Sequence, residues 1–319
     1  MQIFDNQVRF GVHAGPQNFA YDEYLALWKR AEEMGYDWAS VFDHFMALGG
    51  SAGGPCLEGF TLLAAMAAHT SRVRCAILVT GNTYRNPALV AKMGATIDQI
   101  SGGRLELGLG AAWFEHEHRM HGIPFPGNGP RIRMLAETAK IVRSLWTEKA
   151  TDFQGQYYTI TDAYCDPKPL QQPCPPIWIG GGGEKMTLRV VAESADGWNV
   201  LPLPTDEFQH KLDVLAAHCK DVGRDPADIR KSIVFPMLVR ETEAEVREAL
   251  DSPSGPRTAR GGETVITGTP EQAVDQLLPY LRMGLGDFLL RVTSPVDFET
   301  LELVAKKVAP AVKAGVPPG

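Results

Sequence analysis

One pattern dominates this chain: a short run rich in β-branched and aromatic residues, then a longer stretch of helical periodicity, repeated along 319 residues. Val8, Phe10 and Val12 alternate with polar or small residues. Residues 21–34 then place Tyr24, Leu25, Leu27, Trp28, Ala31 and Met34 at helical spacing and stop at Gly35. The pair recurs at 38–42 and 60–69, 73–80 and 87–100, 104–109 and 131–146, 177–179 and 184–193, 197–201 and 206–222, and 233–239 and 243–250. A last unit has a helix over 270–283, a strand over 287–292 and a helix over 298–308. Strands separated by helices pair in parallel through right-handed crossovers. Strand starts at Val8, Trp38, Val73, Arg104, Ile177, Gly197, Ile233 and Asp287 number eight, which closes a (β/α)8 TIM barrel.

Three stretches fall outside the repeat, so residues 1–319 read as a single barrel domain with insertions after strands 4 and 7 and before strand 5. Residues 111–129 are rich in His, Gly and Pro. Residues 147–176 carry Phe153, Tyr157, Tyr158 and Ile160 around Gly155, a short hairpin, followed by a proline-rich run. Residues 251–263 are poor in apolar side chains and predict a mobile loop.

Composition narrows the partners. Apolar residues make up 44% of the chain, enough for a large core and against disorder. The 31 basic and 38 acidic side chains give a net charge of −7 with no long run of either sign, which argues against nucleic acid or an anionic membrane. A small-molecule ligand is the expectation. Cys56, Cys75, Cys165, Cys174 and Cys219 are odd in number and lack a C-x-x-C pair, so they read as reduced thiols. No segment reads as a signal peptide or membrane span, and a cytoplasmic location is expected.

Barrel chemistry sits where strands end. The second strand ends in Phe42-Asp43-His44, a carboxylate beside an imidazole that can exchange a proton near neutrality. The fifth ends in Gly180-Gly181-Gly182-Gly183, where bare backbone N–H groups and a helix N-terminus suit a phosphate. A Rossmann fingerprint fails there, because Lys185 stands where the third glycine belongs. Residues 115–121, Glu-His-Glu-His-Arg-Met-His, do not match H-E-x-x-H; no metal site is assigned, and the stretch reads as a solvated polar lid, with substrate or cofactor contact by at least one member as the alternative. If helical, it puts His118 and His121 on one face, with Glu117 and Trp113 near it.

Longer motifs join these strand ends in order: residues 40–50 around Asp43-His44, 78–87 (LVTGNTYRNP), 98–104 (DQISGGR), 108–113 (GLGAAW), 122–126 (GIPFP), 167–169 (PKP), 179–184 (IGGGGE) and 195–199 (ADGWN). With them the chain resembles the luciferase-like monooxygenase superfamily, in its branch of oxidoreductases dependent on the deazaflavin coenzyme F420. The resemblance implies a cofactor in the barrel mouth, with its phosphate toward Gly180, Gly181, Gly182 and Gly183. It implies a ring seat formed by Leu78, Val79, Gly81, Gly110, Ala111, Ala112 and Trp113, with a non-proline cis peptide at Leu78–Val79. It also implies catalytic roles for His44 and Asp43, His44 exchanging or orienting a proton.

Departures accompany the match. Ala112 stands where a glycine is usual, and Phe42 where a small polar residue is common. Trp113 stands where deazaflavin sugar-phosphate dehydrogenases carry a carboxylate, which speaks against that substrate class. Two alternatives stay open: an FMN-dependent monooxygenase supplied by a separate reductase, and a cofactor-binding protein without turnover. Relatives often form homodimers; the oligomeric state, the substrate and the direction of reaction stay open too.

Overall fold

The computed structural model describes residues 7–48, 54–252 and 264–315. In chain order the strands are β1 (Arg9–Ala14), β2 (Trp38–Val41), β3 (Arg74–Gly81), β4 (Leu105–Gly110), β5 (Thr151–Gln154), β6 (Thr159–Ala163), β7 (Ile177–Gly180), β8 (Gly197–Val200), β9 (Arg230–Phe235), β10 (Met237–Val239), β11 (Ile266–Gly268) and β12 (Asp287–Val292). Eight of them close a parallel barrel in the order β1-β12-β9-β8-β7-β4-β3-β2. This is the (β/α)8 barrel that the repeat predicts.

The helices are α1 (Tyr21–Met34), α2 (Gly59–His69), α3 (Pro87–Ser101), α4 (Glu115–Met120), α5 (Asn128–Thr147), α6 (Thr187–Ser194), α7 (Thr205–Val222), α8 (Glu243–Asp251), α9 (Pro270–Arg282), α10 (Phe298–Leu303) and α11 (Ala309–Ala314). Their ends follow local chemistry. Asn86 accepts from the Ala88 N–H ahead of Pro87 to start α3, and Gly102, in the left-handed region, stops it.

Strand alternation sorts the core into two shells. Phe10, Val12 and Ala14 of β1 join Leu27 and Trp28 of α1 in the main core. Trp38, Ala76, Leu78, Trp178, Val234 and Leu289 form a separate cluster inside the barrel. The Trp38 and Trp178 rings stack there at 5.5 Å. They fit because a Cβ on Gly11 would overlap the Trp38 indole and one on Gly197 the Trp178 indole. Below them lies a charged floor. Arg9 reaches Glu106 (2.6 Å) and Asp287 (2.5 Å), Arg74 pairs with the same Glu106, and Arg230 with the same Asp287. Burial pushes the Glu106 carboxyl up, but Arg9 and Arg74 outweigh it and hold the group down at about 2. These ion pairs fill the end of the barrel at which the strands begin.

The predicted hairpin is present as β5 and β6, paired antiparallel. Other boundaries differ. The strand expected over 233–239 splits at Pro236: β9 stays in the barrel, and β10 leaves it to pair with β11. Proline lacks the N–H a continuous ladder needs. The last helix, expected to stop at 308, continues to Ala314 through a π-helical turn at Val304–Val308, which changes the hydrogen-bond register just ahead of Pro310, whose nitrogen cannot donate. The insertion at 111–129 contains α4, and its last residues already belong to α5. Of the stretch 251–263, Asp251 ends α8 and Ser252 follows it; the remainder lies outside the described residues.

Candidate active site

Strand β2 ends at Val41, so Asp43 and His44 lie in the loop beyond it and need not obey strand alternation. They diverge. The Asp43 carboxylate is fully buried and faces Arg85, whose Nη1 lies 2.5 Å from Oδ2 and Nη2 3.2 Å from Oδ1. Thr80 donates to Oδ2 as well, at 2.6 Å. Arg85 continues to Glu58, the residue that caps α2. Asp43 thus ties the second loop to the third and to α2.

His44 turns the other way, into an aromatic surround of Phe42, Tyr84, Trp113 and Phe114. Its Nδ1 lies 2.8 Å from Glu117 Oε2 on α4, and Nε2 has no hydrogen-bond partner among the described residues. Glu117 is buried and accepts three further bonds: the Phe45 N–H (2.6 Å), the Met46 N–H (3.1 Å) and the Tyr84 hydroxyl. Burial pushes its carboxyl up, but these donors outweigh burial and hold it at about 2. Glu117 is therefore ionised and can only accept. The sequence carries no signal for this pair, because the partners lie 73 residues apart and 115–121 reads as a solvated lid. His118, next to Glu117, is also buried; its Nδ1 donates to the Phe114 carbonyl (2.8 Å) and its Nε2 meets the Thr83 hydroxyl (2.7 Å).

The Leu78–Val79 peptide is cis, the bond that the resemblance singles out. Leu78 joins the cluster inside the barrel, and Val79 stands between three glycines. A Cβ on Gly108, Gly110 or Gly180 would come within 2.9, 2.6 or 2.8 Å of the Val79 methyl groups. Gly81 faces the Tyr84 ring, where a Cβ would lie 2.8 Å from Cε2. These four glycines give the third, fourth and fifth strand ends a shared close-packed surface.

Beside that surface runs the loop after β4. The Ala111 carbonyl accepts from Arg131 Nε at 3.0 Å, and the Arg131 guanidinium lies 3.8 Å over the Phe125 ring, which binds the insertion to α5. Ala112 has φ 57°, the left-handed conformation that glycine adopts freely, which explains why a glycine is usual there. Trp113 is 62% exposed, stacks on Phe114 at 5.0 Å and meets His44 edge-on at 5.8 Å. In the fifth loop Gly181 has φ 118°, and a Cβ on Gly182 would meet nothing nearer than 3.9 Å. A Cβ on Gly183 would lie 2.8 Å from Thr187 Oγ1 at the start of α6. The Lys211 Cε would lie 4.0 Å from that Gly182 Cβ, and its ammonium pairs with Glu184.

Two further polar groups at strand ends escape a sequence reading. His13, at the end of β1, is 2.9 Å from Ser40 Oγ, which donates to the Val12 carbonyl. Burial, reinforced by Arg291, pushes the His13 imidazole down to about 3, so it stays neutral. On the opposite strands Asn199 donates to Ser232 at 2.9 Å.

Residues 4–259 match the luciferase-like monooxygenase family. The F420-dependent glucose-6-phosphate dehydrogenase of Amycolatopsis mediterranei is 25% identical over 334 residues, covering 96% of this chain and 99% of that protein. A pyrimidine monooxygenase of Stutzerimonas stutzeri is 32% identical over 235 residues, covering 70% of this chain and 62% of that protein. Among solved structures, an F420-dependent secondary alcohol dehydrogenase in complex with an F420-acetone adduct superposes with a TM-score of 0.83 at 21% identity, covering 96% of this chain and 99% of that one, a likeness of fold. With the family match spanning most of a closed eight-stranded barrel, the chain belongs to the luciferase-like monooxygenase family.

Proposed function

We propose that this protein is an oxidoreductase that exchanges a hydride between coenzyme F420 and a small organic substrate. The observation that carries the reading is His44, whose ring meets the exposed Trp113 edge-on and whose Nε2 has no hydrogen-bond partner among the described residues, beyond the end of β2 and away from the ion pairs at the strand starts. The relatives named as F420-dependent support the choice of cofactor.

The residues present fit such a group. Gly181 and Gly182 leave an open, bare backbone ahead of α6, with the Lys211 cation beside it, which suits a phosphate. Leu78, Val79, Gly81, Gly110, Ala111, Ala112 and Trp113 would seat the ring system, and Gly180 and Gly183 would shape the phosphate loop. When bound, the deazaflavin supplies hydride-carrying chemistry at carbon. Everything else falls to the chain: His44 holds or accepts a proton at Nε2, and Asp43 positions the loop through Arg85. The stacked Trp113 and Phe114 rings would flank the bound ring system beside His44.

The test is a pair of binding titrations, with F420 and with FMN, followed by fluorescence. Micromolar or tighter binding of F420 supports the reading; tight FMN binding with no F420 binding overturns it. The pyrimidine monooxygenase relative favours that second reading, an FMN monooxygenase served by a separate reductase, and oxygen uptake coupled to substrate hydroxylation would establish it.

A further inference from the structure

The proton-exchanging group and the group that orients it come from different parts of the fold. His44 belongs to the loop after β2, whereas Glu117 is carried by α4, in the insertion after β4. We propose that Glu117 is a positioning residue that locks His44 in the Nδ1–H tautomer and so keeps Nε2 free on the side away from α4. The proposal deepens the function above and rests on its assignment of His44.

The carboxylate is saturated by donors. Oε1 takes the N–H groups of Phe45 and Met46, and Oε2 takes His44 Nδ1 and the Tyr84 hydroxyl. The two backbone N–H groups and the Tyr84 hydroxyl donate to it, so the fully buried carboxylate has no proton to return and the imidazole must orient with Nδ1–H toward it. The other groups around the ring do not compete. The Asp43 carboxylate is held by Arg85 and Thr80, and the Cys56 thiol donates to the His44 carbonyl (3.3 Å) rather than to the ring. Phe42 and Phe114 offer only ring faces and edges, and the Trp113 indole, whose N–H donates and cannot accept, gives Nδ1–H no rival acceptor.

The arrangement ties the insertion to the site. Helix α4 is anchored by His118, which meets Thr83 and stacks on Tyr84 at 4.8 Å, the same tyrosine that donates to Glu117. When α4 is docked, His44 is set; when it is displaced, the imidazole loses the acceptor that selects its tautomer.

Nitrogen-15 NMR of histidine-labelled protein without cofactor tests this, with His44 assigned by the signal lost in His44→Gln. The wild type is expected to show protonated Nδ1 and bare Nε2. In Glu117→Gln the amide offers one acceptor oxygen and adds two donors, so an Nε2–H signal is expected to appear at His44 with the remaining histidines unmoved. A wild-type Nε2–H signal, or a folded Glu117→Gln protein whose His44 signals are unchanged, overturns the proposal. If Glu117→Gln does not fold, Tyr84→Phe carries the test: it frees Oε2 from its second donor, so the His44 Nδ1–H proton should move downfield, and an unmoved signal overturns the proposal. No cofactor enters these measurements, so failure of F420 to bind would leave the tautomer result standing.

Discussion

The Val79 side chain fills the space that a side chain on Gly180 would need: a Cβ there would lie 2.8 Å from Val79 Cγ1 and 3.0 Å from Cγ2. Gly180→Ala is therefore expected to destabilise the protein by about 1–3 kcal/mol, the usual cost of overpacking. Val79→Ala removes both obstructing methyl groups. The double variant should then be more stable than the sum of the single effects, because the two positions share one volume. Urea midpoints of the four proteins check this; strict additivity would contradict it.

Ala112→Gly should act in the opposite direction. Ala112 sits at φ 57°, a conformation costing a side-chain-bearing residue about 1–2 kcal/mol, while glycine's extra freedom in the unfolded chain takes back about 0.4–1 kcal/mol. A net gain of up to about 1.6 kcal/mol is expected in chemical denaturation.

Acid should weaken the fold in two stages. His13 has an ordinary value of 6.5 and about 3 in the folded protein, so below pH 6.5 the unfolded chain binds a proton that the folded chain refuses, and stability declines between those limits. Glu106 and Glu117 fall from 4.5 to about 2, so their contribution is complete above pH 4.5 and is lost as pH falls toward 2. In His13→Gln the decline between pH 6.5 and 4.5 should shrink while the steeper loss below 4.5 persists. Urea midpoints measured from pH 7 to 3 read both stages.

His44→Gln should separate chemistry from binding. Removing a positioned proton-transfer group costs roughly 10²–10⁴-fold in turnover. F420-linked turnover, followed by the coenzyme's absorbance over a panel of small alcohols and carbonyl compounds, should fall in that range. F420 affinity should change little, because the glycine loop that would hold the phosphate is untouched. Equal loss of affinity and turnover would remove His44 from the chemistry.

Much of the frame is legible in the residues. The alternation of strand and helix periods marks all eight barrel strands, and Gly155 and its aromatic neighbours mark the hairpin. These are local signals, set by backbone preference and side-chain period, whereas the cis bond at Leu78–Val79 is expected only through the family resemblance. The departures arise where a contact elsewhere decides the outcome. Pro236 breaks a strand that hydrophobicity alone would continue, and β10 then takes a partner from 266–268. Asp43 and His44 look like one functional pair, yet Arg85 captures the carboxylate and leaves the imidazole to another acid.

From its sequence alone, this protein's barrel, its glycine run after the fifth barrel strand and the presence of His44 at a strand end can be stated, because periodicity, glycine runs and strand termini are properties of neighbouring residues. Only the tertiary structure decided that Glu117 of a polar-looking insertion turns inward as the acceptor for His44, and that Val79 leaves no room for a side chain at Gly110 and Gly180. Both depend on which side chains meet across the closed barrel. Burial beside such a partner determines whether a carboxylate is ionised or a Cβ has room, and that information is not carried by any single stretch of the chain.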